Sequence, residues 1–181
     1  MADTVFLRHL SRWQAEQQRE AFADLYVEAY GGGSVTEFND RQDFLWRFAD
    51  YVQHPGFDMM IASEAGAVVG CVCGFRTDRG DSSWPGHEDL TSDGQVFTVV
   101  EVMVLPSHRR RRVATRLLEQ LLTRAGAALA TARVQPTNAP ALAAYRSWGW
   151  TRAEGSEGPL AAGGSSGGSS EPYETWSHSR T

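Results

Sequence analysis

Four consecutive arginines, Arg109 to Arg112, stand where a strand-like run ends and a helix-like run begins. Cations in the first turn of a helix are repelled by the positive end of the helix macrodipole, at a cost of about 0.3–1 kcal/mol each when exposed. The first backbone N–H groups of a helix have no internal partners, and guanidinium groups bind phosphate oxygens strongly. We therefore expect a compact polyanion, such as a phosphate group, to bind at this turn. A solvated basic surface turn is the alternative interpretation.

The elements that must position this turn follow from the hydrophobic periodicity. Runs rich in Val, or with alternating apolar residues, predict strands, and apolar residues at helical spacing predict helices. Asp40 is a candidate N-cap of the second helix. The predicted order is β-α-α-β-β-β-α-β-α-β-β, with strands at 5–10, 57–64, 67–76, 95–106, 128–136, 150–155 and 173–180, and helices at 14–31, 40–53, 113–126 and 139–149.

The length and composition indicate one globular domain. A chain of 181 residues is long enough for one well-cored domain, so we expect a single domain over 1–181. We expect the Gly- and Ser-rich segment 155–172 to form a flexible loop within it. No apolar run approaches the roughly 18–20 residues of a membrane helix, and the N-terminus has no signal-peptide pattern. We therefore expect a cytoplasmic protein with no membrane partner.

The charges are unevenly distributed along the chain. Residues 1–100 contain 16 acids and 7 arginines, whereas residues 101–181 contain 6 acids and 10 arginines. An acidic first half argues against nucleic-acid binding, which needs a broad positive surface. A nucleotide-binding protein is a further alternative, but the chain has neither a phosphate-binding G-x-x-x-x-G-K-[ST] motif nor G-x-G-x-x-G.

The two cysteines, Cys71 and Cys73, stand two residues apart in a strand-like run. They point to one face of the strand but are too close along it for an ordinary disulfide, so we expect core thiols. The alternative, a metal-binding pair, lacks a second pair of ligands at suitable spacing, and we expect no metal site.

The residues from Val104 to Ala114 read V-x-P-x-x-R-x-x-R-x-A and precede a leucine-rich helix. This stretch resembles the cofactor motif Arg/Gln-x-x-Gly-x-Gly/Ala of the GNAT superfamily of acyl-CoA-dependent N-acetyltransferases. The resemblance implies that backbone amides of the turn hold the pyrophosphate of acetyl-CoA, and that the strand edge around Met103 and Val104 hydrogen-bonds the pantetheine arm. The candidate cofactor-binding residues of the turn are Arg109, Arg110, Arg111, Arg112, Val113, Ala114 and Thr115.

Two arginines depart from the family's motif. Arg112 stands where the motif has glycine, and Arg110 stands where glycine is frequent. Glycine lets a phosphate approach the backbone without a Cβ in the way. Arg112 can still serve if it adopts helical φ and ψ angles with its side chain turned toward solvent or a phosphate. Otherwise the cofactor site would be weak or inactive. If Arg112 spoils or alters coenzyme binding, the chain would be a noncatalytic GNAT-like module that binds acyl-CoA or a partner.

A second match lies in VQPTNAPALAAYRSWGW, residues 134–150. It is similar to the family's V-x-x-x-N-x-x-A-x-x-x-Y-x-x-x-G-F/W. The resemblance implies that Asn138 contacts the pantetheine or shapes the site, and that Tyr145 lies near the coenzyme sulfur. Tyr145 is the candidate general acid, because a phenol with a pKa of about 10 can protonate a departing thiolate. Alternatively, Tyr145 only packs its helix on the sheet.

The resemblance implies direct acetyl transfer from acetyl-CoA to an amine, without a covalent enzyme intermediate. Glu101 is the candidate general base, because an acid in the apolar run VVEVMVLP is costly to bury without a purpose. The alternation of side chains places Glu101 beside Met103 and opposite Val104. Alternatively, Glu101 pairs with a core arginine, or it orients the acceptor while water takes the proton.

The resemblance also implies the α/β (α+β) GNAT fold, a mixed, mostly antiparallel sheet of six to seven strands flanked by about four helices. In the family, the regions corresponding to 31–37, 77–94 and 155–172 rim the acceptor side. Their acids suit a cationic amine, which would be a small molecule or a peptide N-terminus, although polar loops are also solvated by default. These acids are Glu37, Asp78, Asp81, Glu88, Asp89 and Asp93.

The sequence does not decide whether the protein forms a homodimer.

Overall fold

The computed structural model describes residues 4–30, 37–77, 96–127, 129–134, 139–152 and 174–179. Seven strands and five α-helices occur in these residues, which confirms the α+β class and the number of strands. The strands are β1 (Phe6–Leu10), β2 (Asp58–Glu64), β3 (Ala67–Thr77), β4 (Val96–Val104), β5 (Leu129–Val134), β6 (Thr151–Arg152) and β7 (Glu174–Ser179). The helices are α1 (Arg12–Gln17), α2 (Arg19–Tyr30), α3 (Glu37–Tyr51), α4 (Val113–Ala125) and α5 (Ala139–Ser147).

The first predicted helix is two helices, α1 and α2, separated at Gln18. Helix α1 begins earlier than predicted because Ser11 and Gln14 form a capping box, in which each side chain accepts a hydrogen bond from the other residue's backbone N–H. Helix α3 begins at Glu37, so the prediction that Asp40 is its N-cap is wrong. The described residues therefore contain one helix more than the predicted four.

The chain divides into two compact units. The first unit contains residues 1–76 and 99–126, with the strand order β1-β2-β3-β4. Strands β1 and β2 pair antiparallel, as do β2 and β3, with a register shift between Ala62 and Ser63. The apolar sides of α2 and α3 bury Phe22, Phe44 and Phe48 in one core cluster with residues of β2, β3 and β4. Helix α4 buries a leucine stripe, Leu117, Leu118, Leu121 and Leu122.

The second unit contains residues 77–98 and 127–181, which include the first three residues of β4. Its strand order is β4-β5-β7-β6. Strand β7 pairs antiparallel with both β5 and β6. The hydroxyl groups of Thr98 and Thr131 lie 3.1 Å apart and are buried, so this polar pair satisfies itself inside the unit. The predicted flexible segment 155–172 lies outside the described residues. None of the described helices combines the length and the apolar character needed to cross a bilayer.

Candidate active site

The turn between β4 and α4 has an unusual backbone. After β4, Leu105 N donates to Val69 O at 2.9 Å, and a single 3₁₀ turn, Pro106–His108, follows. Arg110 and Arg112 then have φ angles of 62° and 61°, in the left-handed region. This conformation costs a residue with a Cβ about 1–2 kcal/mol. Arg112 therefore does not take the helical angles that were the condition for a working cofactor site; it takes instead the backbone shape that glycine, the family's residue at this position, adopts freely.

The N-terminus of α4 presents backbone donors at this turn. Arg112 is the N-cap, at φ 61° and ψ 19°, and its side chain makes no capping hydrogen bond. Arg116 N donates to Arg112 O at 3.0 Å, which is the first hydrogen bond that the helix geometry allows. The N–H groups of Val113 and Ala114 precede that bond and have no intrahelical acceptor. Left-handed residues in a tight turn can make concave arrays of N–H groups that bind anions, so a backbone of this kind could hold a phosphate group.

The four arginine side chains of the turn point in different directions. Arg109 Nη2 donates to Ala29 O at 2.7 Å, and its Nε to Val104 O at 3.4 Å. Arg111 Nη2 lies 3.3 Å from Glu64 Oε1. The guanidinium groups of Arg109 and Arg111 thus bind acceptors within the protein. Arg110 and Arg112 are exposed, and in the part of the chain that the structure describes their side chains have no hydrogen-bond or ion-pair partner.

Glu64, the last residue of β2, binds two side chains of the turn. Its carboxylate accepts hydrogen bonds from His108 Nε2 and from Arg111, and the hydroxyl of Ser107 lies 2.7 Å from His108 Nδ1. Because a carboxylate only accepts, Nε2 of His108 carries a proton. The hydrogen bond from His108 holds the pKa of Glu64 below its ordinary value. This network joins β2 to His108, which precedes the left-handed arginines, and to Arg111, which lies between them.

Glu101 lies on β4 in the same unit as the turn, and its side chain is 11% exposed. Arg47 of α3 places Nη2 3.4 Å from Glu101 Oε1. Burial raises the pKa of Glu101, and the charge and hydrogen bond of Arg47 oppose that increase. The pairing with an arginine matches the alternative interpretation of Glu101, while the raised pKa suits a general base.

The neighbours of Glu101 are mostly neutral. Tyr30 donates its hydroxyl to Val102 O at 2.9 Å, and burial raises its pKa above the ordinary range. Cys71 and Cys73 are buried free thiols, which confirms that they are core residues, and burial raises their pKa values too. Met103 belongs to the same core cluster as these thiols.

Val104 points to the opposite face of the sheet. A Cβ placed on Gly70 would meet Val104 Cγ2 at 3.3 Å and Leu117 Cδ1 at 3.4 Å, so Val104 lies on the α4 side. The predicted alternation of Glu101, Met103 and Val104 is confirmed. Because Met103 and Val104 are both buried, they can hold a ligand only through their backbone groups.

Tyr145 belongs to the second unit, where it is 6% exposed on α5. Its ring packs edge-on against Trp148 and Trp150, with centroids 5.2 and 4.9 Å away. Asn138 lies outside the described residues. The structure thus brings Glu101, Met103, Val104 and the arginine turn together in one unit, and it places Tyr145 in an aromatic cluster of the other.

The sequence analysis missed Arg47, the partner of Glu101. Its signal was nevertheless present, because Phe44, Arg47, Phe48 and Tyr51 follow the spacing i, i+3, i+4, i+7 of one helix face. A charged residue on such an apolar stripe indicates a buried partner of opposite charge. His108 and Glu64 gave no comparable signal, since neither stands in a periodic apolar pattern.

Comparisons with known protein families and solved structures show the family and the fold of the chain. The acetyltransferase (GNAT) family model matches residues 16–150. Among solved structures, an aminoglycoside N-acetyltransferase in complex with CoA has a TM-score of 0.61 at 18% identity, over 85% of this chain and 92% of that one. Diaminobutyrate acetyltransferase from Paenibacillus lautus, in complex with L-2,4-diaminobutyric acid and coenzyme A, has a TM-score of 0.59 at 18% identity, over 97% and 95%.

A third similar structure is an N-acetyltransferase, PaiA, from Thermoplasma acidophilum in complex with coenzyme A, with a TM-score of 0.61 at 12% identity, over 95% of this chain and 98% of that one. At these identities the structural likeness shows the fold. A search of curated protein sequences finds no match to the chain. The family model covers most of the chain, and the GNAT fold extends over nearly all of it. The chain therefore belongs to the GNAT family of acetyl-CoA-dependent N-acetyltransferases.

Proposed function

We propose that this protein transfers the acetyl group of acetyl-CoA directly to the primary amine of a small cationic acceptor, within a ternary complex. The observation that carries the proposal is the placement of Glu101. This nearly buried carboxylate lies on β4, the strand that leads into the arginine turn. A base and an anion-binding turn on one strand place an acceptor amine next to the acyl donor, and such orientation supplies much of the rate.

The arginine turn is the proposed binding site for the diphosphate. The backbone N–H groups of Val113 and Ala114 would donate to its oxygens, and the exposed guanidinium groups of Arg110 and Arg112 would add charge-assisted hydrogen bonds. Thr115 remains a proposed contact on the resemblance alone. Arg109 and Arg111 would act indirectly, because their side chains already hold Ala29 and Glu64. Bound acetyl-CoA supplies the acetyl group as a reactive thioester.

Backbone groups of β4 are the proposed binding site for the pantetheine arm. The resemblance to the family assigns Met103 and Val104 to the pantetheine arm, and both residues have buried side chains that leave only their backbone for this task. A backbone N–H would also stabilise the oxyanion that forms when the amine attacks the thioester. Asn138 remains a proposed pantetheine contact on the resemblance alone.

Glu101 is proposed to take the proton from the acceptor. An alkylammonium has no lone pair, so it must lose a proton before it attacks. Burial makes the carboxylate of Glu101 a stronger base than an exposed glutamate, because it raises the pKa toward the working pH. Tyr145 is proposed to donate its hydroxyl proton to the departing thiolate, as the family's motif implies.

A cationic small molecule is the proposed acceptor class. The 16 acids among the first 100 residues, against 7 arginines, favour the approach of a cation. Two of the similar folds belong to enzymes named for an aminoglycoside and for diaminobutyrate, both of which are small amines. A peptide N-terminus is the second acceptor type to include in a test.

The experiment is an assay of coenzyme A release against diamines, polyamines, aminoglycosides and short peptides, with calorimetry of acetyl-CoA binding beside it. We expect binding of acetyl-CoA and turnover of at least one small cationic amine. Glu101→Gln should lower kcat by about 10²–10⁴-fold while acetyl-CoA still binds, because the base is lost and the turn is intact. Glu119→Gln, on the exposed side of α4, is the matched control.

Two results would contradict the proposal. If millimolar acetyl-CoA gives neither calorimetric heat nor a thermal shift, it is not the acyl donor. If Glu101→Gln keeps full activity, Glu101 is not the general base and has only a structural role in the core.

A further inference from the structure

Arg47 approaches Glu101 from a different element of the fold. It lies on α3, on the same helix face as Phe44, Phe48 and Tyr51. Its Nη2 is 3.4 Å from Glu101 Oε1, and its side chain is 37% exposed whereas that of Glu101 is 11% exposed. The guanidinium thus covers one oxygen of a carboxylate that has little other access to water.

The position of Arg47 is fixed by more than its ion pair. Its Cζ lies 5.2 Å from the ring centroid of Tyr26 and 5.9 Å from that of Phe44, which are cation–π distances. The two rings stack on each other with centroids 5.2 Å apart. A guanidinium held over stacked rings is preorganised, so its place does not depend on Glu101 alone.

The charge balance around Glu101 depends on this one arginine. Burial raises the pKa values of the phenols and thiols that face the carboxylate, and they therefore remain neutral near pH 7. Without Arg47, the carboxylate would keep the cost of burial and lose the charge that offsets it. In the described part of the chain, the titratable groups facing Glu101 are Tyr26 and Tyr30 of α2, Arg47 and Tyr51 of α3, and Cys71 and Cys73 of β3.

We propose that Arg47 is a positioning residue of the transferase, which keeps Glu101 ionised and fixes its Oε1 so that Oε2 receives the proton of the acceptor amine. This inference rests on the proposed function, in which Glu101 is the base. Burial without a cationic partner favours the protonated form of a carboxyl group, which cannot accept a proton. The guanidinium prevents this, while burial still leaves Glu101 more basic than an exposed glutamate.

The test compares Arg47→Met with Arg47→Lys, and uses Arg41→Met as the matched control. Arg41 is also on α3, but it pairs with Glu20 and Asp24 rather than Glu101. Carbon-13 NMR of the labelled carboxyl groups, without acetyl-CoA, follows Glu101, whose signal is assigned by its loss in Glu101→Gln. Arg47→Met should raise the pKa of Glu101 by about one unit or more, and Arg47→Lys by less. Arg41→Met should leave it unchanged.

The second readout is the pH dependence of kcat/KM. In Arg47→Met the rise of kcat/KM on the acid side should move to higher pH by the same amount as the NMR pKa. Arg47→Lys should restore most of the wild-type profile, which a purely structural role would not predict. Acetyl-CoA affinity should be unchanged in both variants.

The two readouts separate the inference from the proposed function. An unchanged Glu101 pKa in Arg47→Met overturns the role of Arg47. If the NMR pKa shifts but the pH–rate profile does not move, Arg47 controls the ionisation of Glu101, but Glu101 is not the general base. If Arg47→Met does not fold, as judged by near-ultraviolet circular dichroism, Arg47→Gln decides by the same pKa criterion.

Discussion

The guanidinium of Arg109 donates a hydrogen bond of 2.7 Å to the carbonyl oxygen of Ala29, 80 residues earlier in the chain. Ala29 is in the last turn of α2, where carbonyl groups have no intrahelical donor and where the helix macrodipole favours a cation. The same side chain also donates to Val104 O at the end of β4. The motif arginine therefore joins the end of α2 to the start of the turn.

Replacing Arg109 should destabilise the fold. Arg109→Met keeps much of the apolar stem but removes the charged donor from two carbonyl groups, so we expect a loss of about 1–3 kcal/mol in the free energy of unfolding. Urea denaturation with an unchanged m-value measures this. Arg116→Met, on the exposed side of α4, is the control. Equal stability of the two variants would contradict the structural role of Arg109.

Arg112 should be strained, and glycine should relieve the strain. Arg112→Gly and Arg112→Ala lose the same charge, but only glycine adopts a φ of 61° without steric cost. We expect the glycine variant to be more stable than the alanine variant by about 1 kcal/mol, measured by thermal and urea unfolding. A more stable alanine variant would mean that position 112 is not left-handed in solution.

Glu64 should contribute a pH-dependent part of the stability. The hydrogen bond from His108 lowers the pKa of Glu64 in the folded state, so its contribution is present above the ordinary value of 4.5 and is lost as the pH falls through the lowered pKa. Glu64→Gln should therefore have a lower Tm than the wild type at pH 7, and the difference should shrink below about pH 4.5. Melting curves from pH 7 to pH 3 measure this. A difference that stays constant over this range would contradict the prediction.

Tyr145→Phe should separate the hydroxyl from the ring. The aromatic packing against Trp148 and Trp150 remains, so the variant should fold and keep its affinity for acetyl-CoA. The loss of the proton donor should lower kcat by about 10²-fold or more. Tyr145→Leu, which removes the ring as well, is the control for packing. An unchanged kcat in Tyr145→Phe would leave Tyr145 as a packing residue of α5.

Periodicity predicted the strands and the later helices well, because the spacing of apolar residues in the sequence shows directly which face of a strand or helix is buried. The alternation of Glu101, Met103 and Val104 was also predictable, since a strand has a fixed period of two. The break at Gln18 was not, because no glycine or proline marks it. Helix α3 was predicted to start too late because Asp40, a good N-cap residue, lies inside it.

The conformation of the turn could not be read from the sequence. Residue preferences argue against a positive φ at any arginine, so Arg110 and Arg112 predict ordinary helical or extended angles. The side chains beside them, those of His108, Arg109 and Arg111, make hydrogen bonds to distant parts of the chain, and the sequence does not show such contacts. The partner of Glu101 was accessible in principle, through the position of Arg47 on the apolar stripe of α3.

The use of arginine throughout the turn has a chemical consequence for an enzyme that handles thioesters. An acetyl thioester slowly acylates free amines without any catalyst, and a lysine ammonium that loses its proton becomes such an amine. A guanidinium stays protonated and is a poor nucleophile. The chain contains no lysine, so acetyl-CoA bound at the proposed turn could not neutralise the cations of that turn by acetylating lysine side chains.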